Sequence, residues 1–229
     1  MKKRGPYIKD NKKFDQIIKK RSRDFKPIKL SPAYSYLVQD NTLQLLIHLS
    51  RYKFVAKMLS RTDRVLEVGS GEGMGTIFLS QHCAFVKGIE FKKSECSYAN
   101  TINTRTNVEF VRGDFFDHRS HELFDAVVNL DVIEHMPQDI GEKFLAKTAL
   151  NLKDNGMMIL GTPSIYSYAY QAANSKAGHV KCYDRDELVQ IVKKYYGRVI
   201  AFSMNDEMVH TGFQKLAWYY FIVAFCPKR

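Results

Sequence analysis

From residue 64 onward the chain alternates short, nearly continuous apolar runs with stretches of helical period. The runs are RVLEV (64–68), AFVKGIE (84–90), VEFVRGD (108–114), FDAVVNLD (124–131) and GMMILGT (156–162). Between them, Gly75–Gln81, Lys92–Thr104 and Gln138–Leu152 space their apolar residues as helices do. Apolar strands separated by helices predict a parallel sheet covered on both faces. Two later runs, RVIAFS (198–203) and WYYFIVAFC (218–226), follow a helix opened by Asp184, with Glu187 three residues on as a capping box. Upstream, Leu43, Leu46, Ile47, Phe54 and Met58 predict a helix over Asp40–Leu59, with Asn41 or Thr42 as N-cap. The expected fold is α/β, a doubly wound, Rossmann-like and mostly parallel seven-stranded sheet.

Charge changes this picture at one end only. Of 35 Lys and Arg residues, 12 lie in residues 1–29 against 3 acids, so the net charge of +11 belongs mostly to that segment. We expect a basic N-terminal arm at 1–29 and one domain at 30–229. Such an arm suits contact with an anionic ligand, a membrane surface or nucleic acid. No aromatic stacking pattern accompanies its lysines, which favours a solvated arm over a nucleic-acid grip. The residues after Met1 are charged with no apolar run behind them, so no secretory signal is expected. LAWYYFIVAFC (216–226) is too short to span a bilayer. Cys83, Cys96, Cys182 and Cys226 form no C-x-x-C pair, which points away from zinc ribbons and disulfide frameworks and towards a reducing cytoplasm.

Sheets of this kind bind ligands beyond the carboxyl ends of their strands. The first run ends in VLEVGSGEGMGT (65–76), with glycines at 69, 71, 73 and 75. A dinucleotide fingerprint would need its third glycine at Met74 or Thr76, and no G-K-[ST] follows for a P-loop. Glu67, inside the strand, would repel a pyrophosphate at the adjacent helix N-terminus and suits a cationic group instead.

The apolar-apolar-acid-apolar-G-x-G-x-G pattern resembles the first motif of class I S-adenosylmethionine (SAM) dependent methyltransferases. The family's later motifs follow in order: Glu90 ends the second strand, Asp114 and Phe115 follow the third, and FDAVVNLDVIEHMP ends the fourth. The resemblance implies a SAM site built from Glu67, Gly69, Ser70, Gly71, Gly73, Glu90, Phe91, Asp114, Phe115 and Asp131. In it Glu90 would take the ribose hydroxyls and Asp114 the adenine amino group. Upstream, HLSRYKFV resembles a helix of small-molecule members in which Arg51 or Tyr52 would reach the methionine carboxylate.

The acceptor is indicated by the fourth motif. It is neither N-P-P-[YF] nor Pro-Cys, which would point to base amines or pyrimidine carbons. Asp131, Glu134 and His135 stand there instead, spaced to share one face of a helix start. A carboxylate–imidazole pair could act as a base on a hydroxyl, or with Asp131 bind a divalent ion that acidifies it. The D-x-x-E-H pattern resembles the E-x-x-E-H of quinone-biosynthesis O-methyltransferases, in which the acids are implied to hold a metal. Asp131 is one methylene shorter, and the metal stays open. GHVKCYDRDEL (178–188) resembles a loop of the same branch that lays a histidine over the acceptor pocket, making His179 a second candidate base. Tyr166, Tyr168 and Tyr170 would line a lid or cover the sheet. Asn205, Asp206, Glu207 and His210 would offer hydrogen-bond partners to a polyhydroxylated acceptor if the sixth strand runs parallel to the others. The expectation is a SAM-dependent O-methyltransferase acting on a small molecule or glycan precursor. The alternatives are an RNA methyltransferase that holds RNA through the arm, and a non-catalytic SAM-binding scaffold.

Overall fold

The computed structural model describes residues 12–24, 27–120 and 122–229. The chain divides into two compact units, Met1–Leu30 and Ser31–Arg229. In the first, Lys12–Asp24 forms helix α1, with residues 12–22 exposed. Much of the basic segment expected over 1–29, namely residues 1–11 and 25–26, lies outside the described residues.

In the second unit the apolar runs become the strands of one sheet. They are β1 (Arg64–Val68), β2 (Phe85–Glu90), β3 (Val108–Arg112), β4 (Phe124–Leu130), β5 (Leu152–Pro163), β6 (Tyr196–Asn205), β7 (Met208–His210) and β8 (Tyr219–Pro227). Their spatial order is β3-β2-β1-β4-β5-β8-β6-β7. Strands β1 to β5 pair in parallel. Strand β8 is antiparallel to both β5 and β6, so β6 points the same way as β5. The sheet therefore has eight strands where seven were expected. The extra one, β7, spans three residues and pairs only with β6, too short to leave a periodic signal.

Alternation along β1 divides its side chains between two cores. Leu66 and Val68 join Phe144, Leu145, Leu188 and Val192 from α6 (Gln138–Leu150) and α8 (Arg185–Lys193). Val65 joins Tyr52, Val55 and Ala56 from α3 (Thr42–Met58) and Leu79 from α4 (Met74–Leu79). Helices thus cover both faces, as the unbroken apolar runs require. The smaller α2 (Pro32–Asp40) and α5 (Lys93–Ile102) complete the shell with α7 (Ala173–Gly178). Helix α3 is capped by the Asn41 side chain accepting from the Gln44 amide at 3.3 Å. Of the expected stripe Ile47, Phe54 and Met58 pack against the sheet core, whereas Leu43 and Leu46 are exposed in the first turns of α3. At α8 Asp184 caps the helix, but Glu187 pairs with Lys181 at 2.7 Å, so the capping box is half made. Among the described residues no helix is long and apolar enough to cross a membrane.

The direction of the sheet order reverses at β1, between β2 and β4, and the strand ends there open a crevice.

Candidate active site

The loop after β1 is shaped by backbone conformations and contacts that side chains would prevent. Gly73 holds φ +86° at the start of α4, and a Cβ there would come within 2.7 Å of both Ala99 and Phe110. At Gly75 the cause is contact instead: a Cβ would lie 1.9 Å from the Tyr52 ring. The loop is tied to β2 by the amides of Gly69 and Ser70, which both donate to the Ile89 carbonyl at 2.9 and 3.1 Å. The Ser31 hydroxyl, before α2, donates to Glu72 on the loop's outer side.

Beyond the strand ends lies a cavity of about 510 Å³, walled by Gly69, Gly71, Glu90, Phe91, Asp114, Phe115, Asp131, Val132 and His135 among others. Glu90 is buried and its carboxylate is oriented by two backbone amides, Gly71 to Oε2 at 3.0 Å and Lys92 to Oε1 at 2.8 Å. A carboxylate has about four acceptor positions, so roughly two remain for a ligand. Asp114 Oδ1 accepts from the Phe116 amide at 2.8 Å, which fixes the turn after β3. Phe115 is buried edge-on against Phe144 with ring centres 5.3 Å apart, whereas Phe91 is exposed. Left-handed glycines, an oriented acid and aromatic walls fit an adenosyl ligand.

Several expected cofactor residues are not in this wall. Ser70 is buried against Gly88 with no hydrogen-bond partner for its hydroxyl. Tyr52 and Glu67 lie beneath the loop, because the alternation of β1 turns Glu67 towards α3. There the Tyr52 hydroxyl donates to Glu67 Oε1 at 2.8 Å. The Thr76 hydroxyl approaches the carboxylate without ordinary hydrogen-bond geometry, which leaves Oε2 unpartnered. Burial pushes Glu67 up to about 7, against the pull of Thr76 and Tyr52.

That displacement has a definite sign. The folded chain holds the Glu67 proton over a range in which the unfolded chain has released it, so stability falls as pH rises from about 4.5 through about 7. Glu67→Gln keeps an acceptor for Tyr52 and removes the dependence. We expect it to raise unfolding stability at pH 8 by up to about 3 kcal/mol, at about 1.4 kcal/mol per pH unit. The gain should vanish near pH 4 in denaturant titrations. An equal effect at both pH values would contradict this account.

The turn after β4 departs from the expected geometry. Asp131 takes a left-handed φ of 57°, and Ile133–His135 is a 3-10 turn, not the first turn of an α-helix. The three side chains therefore do not share one face. Asp131 and His135 line the cavity; Glu134 is fully buried behind it. Asp131 pairs with Arg51 Nη1 at 2.6 Å, and that guanidinium lies 4.0 Å from the centre of the Tyr219 ring. Glu134 Oε2 accepts from the Thr162 hydroxyl at 3.0 Å, and among the described residues Oε1 has no partner. Burial, then the charge of Asp131, raises Glu134 to about 8. The main-chain carbonyl of Glu134 accepts from the amides of Val180 and Lys181 at 2.7 and 3.0 Å, which pins the loop carrying His179 against this turn.

His135 and His179 meet edge to face with ring centres 5.2 Å apart. Burial and then the neighbouring His135 lower the pKa of His179 below the ordinary histidine value. His135 Nδ1 lies 2.8 Å from the Gly178 carbonyl, an acceptor only, so Nδ1 carries the proton and Nε2 is the basic nitrogen. Glu134, His135 and His179 bring one possible ligand atom each within 4.8 Å of one another. The donor set that the fold assembles is thus Glu134 with two imidazoles; Asp131 turns to Arg51 instead. One carboxylate and two imidazoles, with Glu134 Oε1 unpartnered, fit a divalent ion.

Tyr166, Tyr168 and Tyr170 lie in a 3-10 segment, Ile165–Tyr170, and are exposed. The β6–β7 loop does open at the ligand end of the sheet, but away from the cavity wall. Its Asn205 and His210 bond to each other at 2.9 Å. Thr162 and Tyr219, which hold Glu134 and cover Arg51, were not among the expected site residues. Both sit inside apolar runs that read as buried strand.

The chain is similar to known methyltransferases. Residues 65–156 match a methyltransferase-domain family model. The chain is 32% identical over 114 residues to protein-L-isoaspartate O-methyltransferase 2 of Shewanella sediminis, covering 48% of this chain and 43% of that one. It is 27% identical over 123 residues to the ubiquinone biosynthesis O-methyltransferase of Rickettsia felis, covering 53% and 48% respectively. The chain spans about half the length of the curated relatives it matches. The crystal structure of the N-methyltransferase NodS of Bradyrhizobium japonicum, in complex with S-adenosyl-L-homocysteine, superposes with a TM-score of 0.63 at 16% identity, covering 84% of this chain and 92% of that one. Residues 65–156 thus match a methyltransferase-domain model, on a sheet with the fold of a SAM-dependent methyltransferase structure.

Proposed function

We propose that the protein is a SAM-dependent O-methyltransferase acting on a hydroxyl of a small molecule or glycan precursor. The observation that carries the acceptor class is the His135–His179 pair beside the cavity. A neutral amine is already nucleophilic, whereas a hydroxyl needs its proton taken, and two closely set imidazoles supply that base.

SAM, when bound, supplies an electrophilic methyl group on a sulfonium. Glu90 would receive the ribose hydroxyls with its remaining acceptor positions, and Asp114 the adenine amino group, with Phe115 and Phe91 beside the ring. Gly69, Gly71 and Gly73 would admit the amino-acid end close to the backbone. Arg51, held by Asp131, would reach the methionine carboxylate, although it does not itself line the cavity. Glu67 and Tyr52 would support the loop from below. His135 would take the proton of the acceptor O–H on Nε2, leaving the oxygen free to accept the methyl group. Glu134, His135 and His179 are also the groups that would hold a divalent ion, whose chemistry would be to acidify the hydroxyl. The basic segment 1–29 would steer an anionic or membrane-associated acceptor.

The test is methyl transfer from labelled SAM to matched panels of phenols, sugars and primary amines, with and without added divalent ion. Transfer to hydroxyls is the expected outcome. Transfer confined to amines would overturn the acceptor class, and RNA methylation that fades steeply with salt would favour a nucleic-acid substrate.

A further inference from the structure

We propose that Gln171 is a positioning residue that sets the tautomer of His179, leaving its Nε2 as a basic nitrogen beside the one on His135. This rests on the reading that the histidine pair serves the methyl acceptor. Its basis is a hydrogen-bond chain whose direction is fixed at one end.

The chain begins at Ser164, fully buried between β5 and the 3-10 segment Ile165–Tyr170. The Ser164 amide donates to the Trp218 carbonyl at 2.9 Å, and its hydroxyl bonds Tyr220 at 2.9 Å. The Ser164 carbonyl accepts from the Ser167 hydroxyl at 2.7 Å. A hydroxyl has one proton, so towards Gln171, at 3.1 Å, the Ser167 oxygen can only accept. The Gln171 amide nitrogen must therefore face Ser167, which turns its Oε1 to His179 Nδ1 at 2.7 Å. A carbonyl oxygen cannot donate. His179 must carry its proton on Nδ1, and the lone pair of the neutral ring is on Nε2.

His135 reaches the same state through the Gly178 carbonyl, one residue before His179. Two rings in edge contact thus present like tautomers, one set by a backbone carbonyl and the other by a side-chain carbonyl that the Ser167 bond orients. Without Gln171, His179 would be free to place its proton on Nε2, and its basic nitrogen would be Nδ1, turned towards position 171. Glu134, Asp131 and His135 are the titratable groups nearest the ring; Gln171 is neutral, so its effect is on proton position.

The experiment compares the full-length protein with Gln171→Leu and Gln171→Glu, each labelled with nitrogen-15. The His179 ring signals are assigned by their loss in His179→Asn. The native protein should show a protonated Nδ1 on His179. Gln171→Leu should lose that signature and populate the Nε2-protonated form. Gln171→Glu should keep it, because a carboxylate in the same place can only accept from Nδ1. In turnover, Gln171→Leu should lower kcat by about tenfold or more, as wrong tautomers do in other histidine-dependent enzymes, with KM for SAM unchanged. Gln171→Glu should recover most of that loss. A His179 ring still protonated at Nδ1 in Gln171→Leu would overturn the proposal, as would equal losses of kcat in the two variants. The spectra need no methyl acceptor, so failure of the methyl-transfer reading would show separately, as absent turnover with the tautomer result intact.

Discussion

Replacing His135 by alanine is expected to lower methyl transfer by roughly 10²–10⁴-fold, the usual contribution of a positioned base. Affinity for S-adenosylhomocysteine should change little. The residue lines the cavity, yet its fixed hydrogen bond goes to the Gly178 carbonyl and not to the glycine loop. His179→Ala should fall in the same range, because the rings touch and both sit against Glu134. If the pair acts as a unit, the double variant should be no slower than the worse single one. Additive losses would assign the two histidines separate tasks. A rate within threefold of the native enzyme in both single variants would remove the base from this site altogether.

The second large effect falls on the fold. Gly73→Ala places a side chain in the left-handed region, at about 1–2 kcal/mol, and presses it into neighbours at about 1–3 kcal/mol more. The pressure has no soft outlet: Ala99 is in contact through its Cα as well as its Cβ, and Phe110 is packed in the same small cluster. At roughly 2–4 °C per kcal/mol for a chain of this size, the melting temperature should drop by roughly 5–20 °C. Gly113→Ala is the control, since a Cβ there meets nothing within 4 Å. Equal melting temperatures for the two variants would mean that the loop is softer than its contacts imply.

The glycine loop was legible because left-handed backbone and close approach leave few choices of residue, and the parallel strands because burial on both faces leaves unbroken apolar runs. Glu90 and Asp114 were picked out by the family resemblance at the strand ends, and both line the cavity. What failed was direction. Glu134 was expected to share a face with Asp131 and His135, an inference that needs α-helical rotation. A left-handed Asp131 followed by a 3-10 turn sends Glu134 inward to Thr162. Leu43 and Leu46 have the spacing of a buried stripe but are exposed in the first turns of α3. Gln171 left no trace in any motif, because its role depends on which way a tertiary hydrogen bond points.

The account stands first on the ligand at the carboxyl ends of β1 and β2. Calorimetric titration of S-adenosylhomocysteine into the intact protein and into Glu90→Ala tests that most directly. We expect saturable one-to-one binding, weakened by roughly tenfold or more in the variant, since hydrogen bonds to an ionised carboxylate are worth about 1.5–3 kcal/mol. Absence of binding to the intact protein, or equal affinity in the two, would contradict it.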